Sequence, residues 1–437
     1  MDLNQPQAFE AIPNPQGLTL YAEVFHPRPT MDWVIAIDHK SIGDYNEWFR
    51  ELATLNQGWQ DYLLSAILLD ENPFSQRIQT QDWETFPAVL QSAVKQDLQL
   101  LQQAYCFSCD RLCALVQEHN PDVTVLPWAN QLPDSGLSPA IVELRQQLEA
   151  LTDWAEAVPL FADYYRKFGT GIFAQFHACR WDGSELAGIA TPDPIALTDL
   201  VGYATQRDAL VNNTQALLAG YPSLNVLLYG TRGSGKSSLV KALLNEFADR
   251  GLRLIEVTKA HLSALPTIVE QLRDKPQKFI VFVDDLSFEE DDDAFKALKV
   301  VLEGGITARP SNVVVYATSN RRHLIREFYG DRPRPKDTDE IHQWDTLQEK
   351  MSFSDRFGLT LTFEPAEQRT YLAMVQHLAQ DLDITPGDLE YRALQWATQQ
   401  NGRSGRSARQ FVDYITAELA LRPEVNATIK PLPEVAP

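Results

Sequence analysis

Apolar residues recur every three or four positions in the first part of the chain and follow a different pattern in the second. From Tyr45 to Phe176 this spacing is that of one face of an α-helix, as in the run FPAVLQSAVKQDLQLLQQAYCFSCDRLCALVQ. Beyond about residue 186, short β-branched runs alternate with helical stretches; the runs are NVLLYG, LRLIEV, KFIVFVDD, NVVVYATSN and LTLTF. Such alternation predicts crossover units that build a parallel sheet flanked by helices.

A Pro-, Gly- and Asp-rich segment, CRWDGSELAGIATPDPIALTDL, separates the two patterns and predicts a domain boundary near residue 185. From Glu367 the pattern returns to helices alone, which predicts a helical lid after the sheet. The expected fold class is therefore α/β, preceded by a mainly helical N-terminal domain. The expected domains are residues 1–185 (helical), 186–363 (α/β core), 364–421 (lid) and 422–437 (flexible tail).

The string GTRGSGKSS fits the phosphate-loop pattern G-x-x-x-x-G-K-[ST] and lies between an apolar strand and a helix. Glycines there permit positive φ angles and close backbone approach, so that backbone N–H groups face a bound anion. Lys236 is placed to neutralise phosphate oxygens and Ser237 to ligate Mg²⁺. A glycine-rich turn without a ligand is the alternative. The predicted phosphate-binding residues are Gly230, Thr231, Arg232, Gly233, Ser234, Gly235, Lys236, Ser237 and Ser238.

Two carboxylates, Asp284 and Asp285, follow the fully apolar run FIVFV, where a Walker-B acid would accept the water shell of Mg²⁺. We assign Asp284 to the metal side, together with Ser237. Asp285 is the expected base for the attacking water, although its side chain is one methylene shorter than the usual Glu. Glu289 and Glu290 are alternative bases. The preferred interpretation of their acidic run, however, is a solvent-exposed loop or the start of a helix without a catalytic role.

The following strand ends in Thr318, Ser319 and Asn320, at the same edge of a parallel sheet as the phosphate loop. Asn320 is therefore predicted to hold the attacking water or the γ-phosphate. Asn is also a common turn former at the end of a strand. Its place after the two Walker-type elements favours the catalytic interpretation.

These residues in this order resemble the AAA+ superfamily of P-loop NTPases. The segment LTDLVGYATQRDALVNNTQALLAG is similar to the adenine-side segment of that superfamily, and the resemblance places Leu200, Val201, Gly202 and Tyr203 near the base. The segment SFSDRFGLTLTF looks like the arginine-finger segment of replication initiators and helicase loaders, with Arg356 as the finger. The segment GRSGRSARQFVDYI looks like the sensor-2 lid helix, which implies Arg409, or alternatively Arg406, as a γ-phosphate contact.

Within that superfamily, residues 185–421 are similar to the DUF815 family of bacterial AAA+ ATPases, whose members carry strings like DDLSFE, VLEGG, ARPSNVVVYATSNRRHL and GRSGR. The resemblance implies ATP and Mg²⁺ as cofactors and ATP hydrolysis as the activity. An AAA+ finger acts across a subunit boundary, so Arg356 also implies a homo-oligomer. The family supplies no substrate.

Composition narrows the classes of partner. With 44% hydrophobic and 22% charged residues the chain suggests neither a disordered protein nor a membrane bundle. A formal charge of −21 disfavours non-specific electrostatic binding to nucleic-acid phosphates. The local cluster Arg321, Arg322 and Arg326 could still face a partner or a nucleic acid, but surface salt bridges are the preferred interpretation. We see no targeting signal and expect a cytoplasmic protein that has no membrane partner.

Three cysteines, Cys106, Cys109 and Cys113, have the spacing C-x2-C-x3-C, which could supply soft metal ligands. The same spacing matches one helical face, and buried small hydrophobic side chains are the preferred interpretation. With Cys179 the total of four fits a reducing compartment.

The expected function is ATP binding and hydrolysis coupled to the remodelling or loading of an unknown macromolecular partner, held by the N-terminal helices. A nucleotide-gated scaffold or switch with little turnover is the main alternative, and Asp285 in place of Glu favours it. A small-molecule kinase is a further alternative. A nucleic-acid remodeller would fall within the first class, and the acidity of the chain counts against it.

Overall fold

The computed structural model describes residues 15–26, 28–133, 136–287, 293–303, 308–320, 353–400 and 402–421. The chain divides into two compact units, Met1–His177 and Ala178–Pro437. Each unit has its own hydrophobic core.

The described part of the first unit is built from α-helices, as the sequence predicts. Local signals fix their ends: the Ser41 side chain accepts from Gly43 N at the start of the second helix, and Asn56 closes that helix in the left-handed conformation. The helices are α1 Arg28–His39, α2 Ile42–Leu55, α3 Trp59–Leu69, α4 Pro73–Arg77, α5 Ala88–Cys106, α6 Cys109–His119, α7 Pro139–Glu149, α8 Val158–Phe168 and α9 Gly171–Gln175.

Buried tryptophans form the centre of this helical unit. Trp33, Trp48, Trp59 and Trp154 are among its fully buried side chains, and the rings of Trp33 and Trp59 stack with centroids 4.5 Å apart. Large aromatic side chains of this kind bury much apolar area and favour offset or edge-on ring contacts. The core of the unit therefore depends on aromatic packing between helices that are separated in sequence.

Two buried carboxylates organise polar groups inside the helical unit. Asp97 accepts hydrogen bonds from the backbone N–H groups of Thr19, Leu20 and Tyr21, at 2.9, 2.6 and 3.0 Å. Asp70 accepts from Asn72 Nδ2 at 2.6 Å. Burial raises the pKa of Asp70 to about 6, and the hydrogen bond from Asn72 offsets only part of that rise.

The three clustered cysteines do not lie on one continuous helix. Helix α5 ends at Cys106 and α6 begins at Cys109, because Ser108 caps the second helix by accepting from Arg111 N. Burial raises the pKa of Cys109, which keeps it a neutral thiol. Across the part of the chain that the structure describes, no group of three or more His, Cys, Asp or Glu residues is placed to hold a metal ion.

The described residues of the second unit form a seven-stranded sheet of order β2-β1-β4-β5-β6-β3-β7. All neighbouring strands are parallel except β1 and β2, which are antiparallel. Each of the five predicted runs forms a strand, so the predicted α/β fold with a parallel sheet is confirmed. The strands are β1 Ala178–Trp181, β2 Leu186–Ile189, β3 Val226–Gly230, β4 Leu252–Glu256, β5 Lys278–Val283, β6 Val313–Ser319 and β7 Leu359–Phe363.

The sheet begins before the boundary that the sequence predicts near residue 185. Strands β1 and β2 form a hairpin that extends the sheet beside β4, and β1 pairs with β4 in parallel. Asp182 fixes the turn by accepting from the backbone N–H groups of Ser184 and Glu185. Both strands are only four residues long and lie in a segment rich in turn formers, so the hydrophobic pattern does not reveal them.

Helices cover the sheet, and a further group of helices packs into a cluster of its own. The described helices of the core are α10 Ala204–Leu218, α11 Lys236–Phe247, α12 Leu265–Leu272 and α13 Asp293–Glu303. The lid helices are α14 Gln368–Leu378, α15 Pro386–Gln399 and α16 Gly405–Leu421. Tyr371, Ala393, Phe411 and Ile415 are buried together in the lid cluster, which confirms the predicted helical lid.

Candidate active site at the phosphate loop

The loop between β3 and α11 has the backbone conformation that its glycines allow. Gly230, Gly233 and Gly235 have φ angles of +145°, +74° and +89°, in a region that side chains disfavour. A Cβ atom at Gly230 would lie 2.0 Å from the carbonyl oxygen of Phe363 on the neighbouring strand β7. The first glycine is therefore required by strand contact as well as by backbone conformation.

Lys236 is the first residue of α11, and its side chain lies within the loop. The residue is 6% exposed, and Nζ donates to Gly230 O at 3.0 Å, Thr231 O at 2.8 Å and Asn320 Oδ1 at 3.3 Å. Burial lowers the pKa of Lys236, while the carboxylates of Asp284 and Asp285 raise it. The ammonium group is thus partly desolvated and held among oxygen atoms.

Ser237 and Asp284 meet at the carboxyl edge of the sheet. Ser237 Oγ donates to Asp284 Oδ1 at 2.6 Å, and Thr318 Oγ1 donates to the same oxygen at 2.5 Å. Strands β5 and β6 are neighbours, so their ends bring Asp284 and Thr318 together. A hydroxyl beside a carboxylate is the kind of oxygen set that Mg²⁺ prefers.

Asp285 is held in the left-handed region, at φ +52°. Its carboxylate oxygen Oδ1 accepts from Asn320 Nδ2 at 2.6 Å, and its backbone N–H donates to Thr318 Oγ1 at 3.0 Å. The structure therefore brings both residues that the sequence names for water activation, Asp285 and Asn320, into direct contact.

A cavity of about 600 Å³ opens at this edge and receives most of the predicted site residues. Gly230 and Thr231 do not line it, and their carbonyl oxygens accept instead from Lys236. The predicted residues that line the cavity are Arg232, Gly233, Ser234, Gly235, Lys236, Ser237, Ser238, Asp284, Asp285, Asn320, Val201, Gly202, Tyr203 and Arg409.

Apolar side chains from the core and the lid form one side of the cavity. Leu200 and Val201 line it from the core, and Met374 and Leu378 line it from lid helix α14. Tyr203 packs against both hydrophobic clusters, and its hydroxyl donates to Glu364 O at 2.5 Å. This side of the cavity has the mixture of apolar surface and backbone groups that suits a flat aromatic base.

Two lid arginines also face the cavity. The backbone N–H of Arg406 donates to Gly233 O at 3.2 Å, which fixes the first turn of α16 to the phosphate loop. Arg406 is close enough to Lys236 to help lower the pKa of that lysine. Arg409 lines the cavity three residues further along the same helix. Arg406, the alternative in the sequence analysis, therefore contacts the loop directly.

Arg356 does not line the cavity of its own chain. Its Nε lies 2.5 Å from Glu303 Oε1 at the end of α13, and its side chain is 19% exposed. Arg356 precedes the amino end of β7, whereas the cavity lies at the carboxyl ends of the strands. A five-residue strand spans about 16 Å, which separates this arginine from the phosphate loop.

Several predicted residues lie outside the part of the chain that the structure describes. These are Glu289 and Glu290, the alternative bases, the arginine cluster Arg321, Arg322 and Arg326, and the predicted tail of residues 422–437.

The cavity also contains residues that the sequence analysis missed or left without a role. Thr318 lies on β6 two positions before Asn320, which directly follows the strand, so the two-residue period of a strand could have indicated it. Arg207 lies one helical turn after Tyr203 on α10 and lines the cavity, a spacing that could have indicated it too. Asp199 and Gln410 line it without a comparable signal in the sequence.

The residues present fit a nucleoside triphosphate with Mg²⁺. Gly233 and Gly235 line the cavity at φ angles of +74° and +89°, and Lys236 supplies a cation beside them. The oxygen atoms of Ser237 and Asp284 would hold a metal ion there. The apolar side of the cavity fits a base. Nucleotide and metal therefore have compatible places in one cavity.

The fold and the site together define a P-loop module of the AAA+ class, with a parallel sheet, a phosphate loop and a helical lid. The chain belongs to the family described as "Protein of unknown function (DUF815)", whose model matches residues 174–419. The resemblance to that family is thus confirmed. A search of the curated proteins finds no match.

Solved structures similar to this chain include RuvB, the Holliday junction branch migration motor of Thermotoga maritima. It is 13% identical with a TM-score of 0.30, covering 51% of this chain and 72% of that one. Two single-residue variants of the same protein are 14% and 12% identical, both with TM-scores of 0.32, and cover 51% of this chain and 72% and 73% of theirs.

In the described portion of this chain, every helix is too short or too polar to cross a membrane.

Proposed function

We propose that this protein binds ATP with Mg²⁺ and hydrolyses it, and that nucleotide turnover drives the remodelling or loading of a macromolecular partner. The observation that carries the proposal is the 2.6 Å contact between Ser237 Oγ and Asp284 Oδ1, beside the buried ammonium group of Lys236. These three residues supply the cation and the metal ligands that phosphoryl transfer to water requires.

Each polar group has a role in this proposal. Lys236 binds phosphate oxygens, and Ser237 and Asp284 hold Mg²⁺, with Asp284 acting through water. Bound there, Mg²⁺ would neutralise charge on the phosphate oxygens. Asp285 takes the proton of the attacking water while Asn320 orients that water. Glu289 and Glu290 remain alternative bases.

Lid residues complete the nucleotide site. Arg409, or Arg406 beside it, contacts the γ-phosphate, because a guanidinium fork binds phosphate oxygens bidentately. Val201, Gly202 and Tyr203 contact the adenine. Both the core and the lid line the cavity, so loss of the γ-phosphate would let the lid rotate relative to the sheet.

Arg356 acts on the nucleotide of a neighbouring subunit, which makes the protein a homo-oligomer. Its distance from the cavity of its own chain and its location before β7 support action across a subunit boundary. A finger of this kind contributes about 10³-fold or more to turnover. The N-terminal helices are the proposed contact with the partner.

The test is ATP binding and phosphate release by the parent and by Lys236→Ala. We expect the variant to lose binding or turnover, because its phosphate-binding cation is gone. Lys241→Ala is the matched control, because Lys241 lies on the same helix but outside the phosphate loop. Its side chain is 40% exposed, and its Nζ lies 3.3 Å from Asp193 Oδ2. Equal phosphate release by Lys236→Ala and the parent would refute the proposal.

A nucleotide-gated scaffold with little turnover is the second candidate function. The observation that favours it is the short Asp285 side chain, whose Oδ1 is already bonded to Asn320. Tight ATP binding without phosphate release, both alone and with candidate partners, would support the scaffold. Release that depends on Asp285 and Arg356 would support hydrolysis.

A further inference from the structure

Thr318 makes hydrogen bonds to both consecutive carboxylate residues of the candidate site. Its hydroxyl donates to Asp284 Oδ1 at 2.5 Å and accepts from the backbone N–H of Asp285 at 3.0 Å. Thr318 is 2% exposed, so water does not readily replace either bond. One buried hydroxyl therefore spans the metal-side acid and the expected base.

The backbone of Thr318 supports the same turn. Its carbonyl oxygen accepts from the backbone N–H of Leu286 at 2.7 Å. The backbone N–H groups of Asp285 and Leu286 are thus both bonded to Thr318. Asp285 has a φ of +52°, which a non-glycine residue adopts only when its surroundings hold it there. Thr318 is part of those surroundings through both its side chain and its main chain.

The hydroxyl also limits the rotation of the Asp284 carboxylate. Ser237 and Thr318 both donate to the same oxygen, Oδ1, from two different elements of the fold. With Oδ1 fixed from two directions, the plane of the carboxylate is set before a metal arrives. Residues that orient a metal ligand in this way commonly control metal affinity and activity.

We propose that Thr318 is a positioning residue of the magnesium and water-activating site, and that its hydroxyl sets the orientation of Asp284 and the backbone of Asp285 together. The proposal rests on the proposed function, since it assigns Thr318 to the same reaction. Thr318 contacts neither nucleotide nor metal in this role and acts through the two acids.

The experiment compares the parent with Thr318→Val, which replaces the hydroxyl by a methyl group of similar size. Turnover is titrated with Mg²⁺, and binding of a fluorescent ATP analogue is measured in Mg²⁺ and in EDTA. We expect turnover to fall by about 10- to 100-fold, with a rise in the Mg²⁺ concentration for half-maximal activity. Binding in EDTA stays at the level of the parent, because the phosphate loop is untouched.

Two further variants and one control separate positioning from folding. Thr318→Ser keeps the hydroxyl and should recover most of the turnover and the Mg²⁺ response. Thr318→Ala removes the hydroxyl without placing a methyl group beside Asp284, and it decides the test if Thr318→Val does not fold. Thr214→Val makes the same change at a buried hydroxyl that bonds Leu210 O and Tyr316, and should leave the Mg²⁺ titration unchanged.

The outcomes distinguish this proposal from the proposed function. A parent-like Mg²⁺ titration for Thr318→Val and Thr318→Ala, with Lys236→Ala inactive, would overturn the role of Thr318 and leave the ATPase standing. A parent that binds ATP without turnover still tests Thr318, through loss of the Mg²⁺-dependent part of binding. A parent that neither binds nor hydrolyses ATP would overturn both.

Discussion

The buried acid Asp70 should make the free energy of unfolding of the helical unit depend on pH. Burial raises its pKa from an ordinary 3.8 to about 6. Between these two values the folded protein holds more protons than the unfolded chain, so stability falls as pH rises from about 4 to about 6. Above that window the loss is complete and constant.

We therefore expect Asp70→Asn to be more stable than the parent at pH 7, by up to about 3 kcal/mol, because the amide cannot ionise. The difference should shrink towards pH 4. Urea unfolding followed by tryptophan fluorescence at several pH values measures it. Glu118→Gln, at an exposed position, is the control. Parallel stability curves for Asp70→Asn and the parent would contradict the prediction.

Sequence alone could name the individual candidate residues but not their mutual contacts. Ser237, Asp284 and Asn320 follow directly from motif spacing and from the rule that strand ends share one edge. The bond from Thr318 to Asp284 requires β5 and β6 to be neighbours in one register, which no local pattern encodes. The ion pair of Arg356 with Glu303 joins positions that are distant in the sequence and has no local signature either.

At the scale of elements, the end of β3 packs closely against the end of β7 beside the site. Gly230 pairs with Phe363, and Thr231 N donates to Phe363 O at 3.1 Å. There is no room for a side chain at Gly230, since a Cβ would overlap that carbonyl at 2.0 Å. The loop and the last strand therefore cannot tolerate even one added carbon there.

We expect Gly230→Ala to destabilise the core by about 2–4 kcal/mol, as the sum of backbone strain and overpacking, and to abolish nucleotide binding. Thermal unfolding and ATP binding measure the two effects. Gly220→Ala isolates the strain, because Gly220 also has a positive φ, of +78°, but open space around its Cβ position. Equal losses in the two variants would show that the contact with Phe363 costs nothing.

Element prediction succeeded where hydrophobic runs were long and failed where they were short. The five β-branched runs form strands because each buries an apolar face in the sheet. The hairpin of β1 and β2 has four-residue strands, and its stability comes from pairing with β4, which the sequence does not show. The break between Cys106 and Cys109 was missed because an unbroken helix and two capped helices share the same apolar spacing.

At the scale of the whole molecule, the position of Arg356 gives a test of assembly. Its guanidinium pairs with Glu303 at the end of α13 and lies away from the cavity of the same chain. If it serves a neighbouring subunit, Lys236 and Arg356 of one active site belong to different chains. A heterologous interface of this kind lets defective subunits complement one another.

We expect Lys236→Ala and Arg356→Ala to be nearly inactive alone and to regain activity when mixed. With random assembly of equal amounts, about a quarter of the interfaces combine an intact Lys236 with an intact Arg356. Phosphate release by the mixture, at rising total concentration, measures the recovery. A mixture as inactive as its components would argue that Arg356 acts within its own chain or not at all. Light scattering of each variant provides the control for assembly.

In the helical unit, the sequence determines the secondary structure but carries no sign of a function. Its fold followed from apolar periodicity, since a three-and-four spacing has one structural solution. Its role did not follow, because the buried tryptophans explain packing and point to no chemistry.

The hydrogen bond from Arg406 N to Gly233 O couples one end of helix α16 to the phosphate loop. The helix has 17 residues and is about 25 Å long, with its near end fixed on the phosphate loop. A tilt of about 10° at that pivot would carry the far end at Leu421 through roughly 4 Å. A small rotation at the phosphate loop would thus become a displacement of several ångströms at the other end of α16.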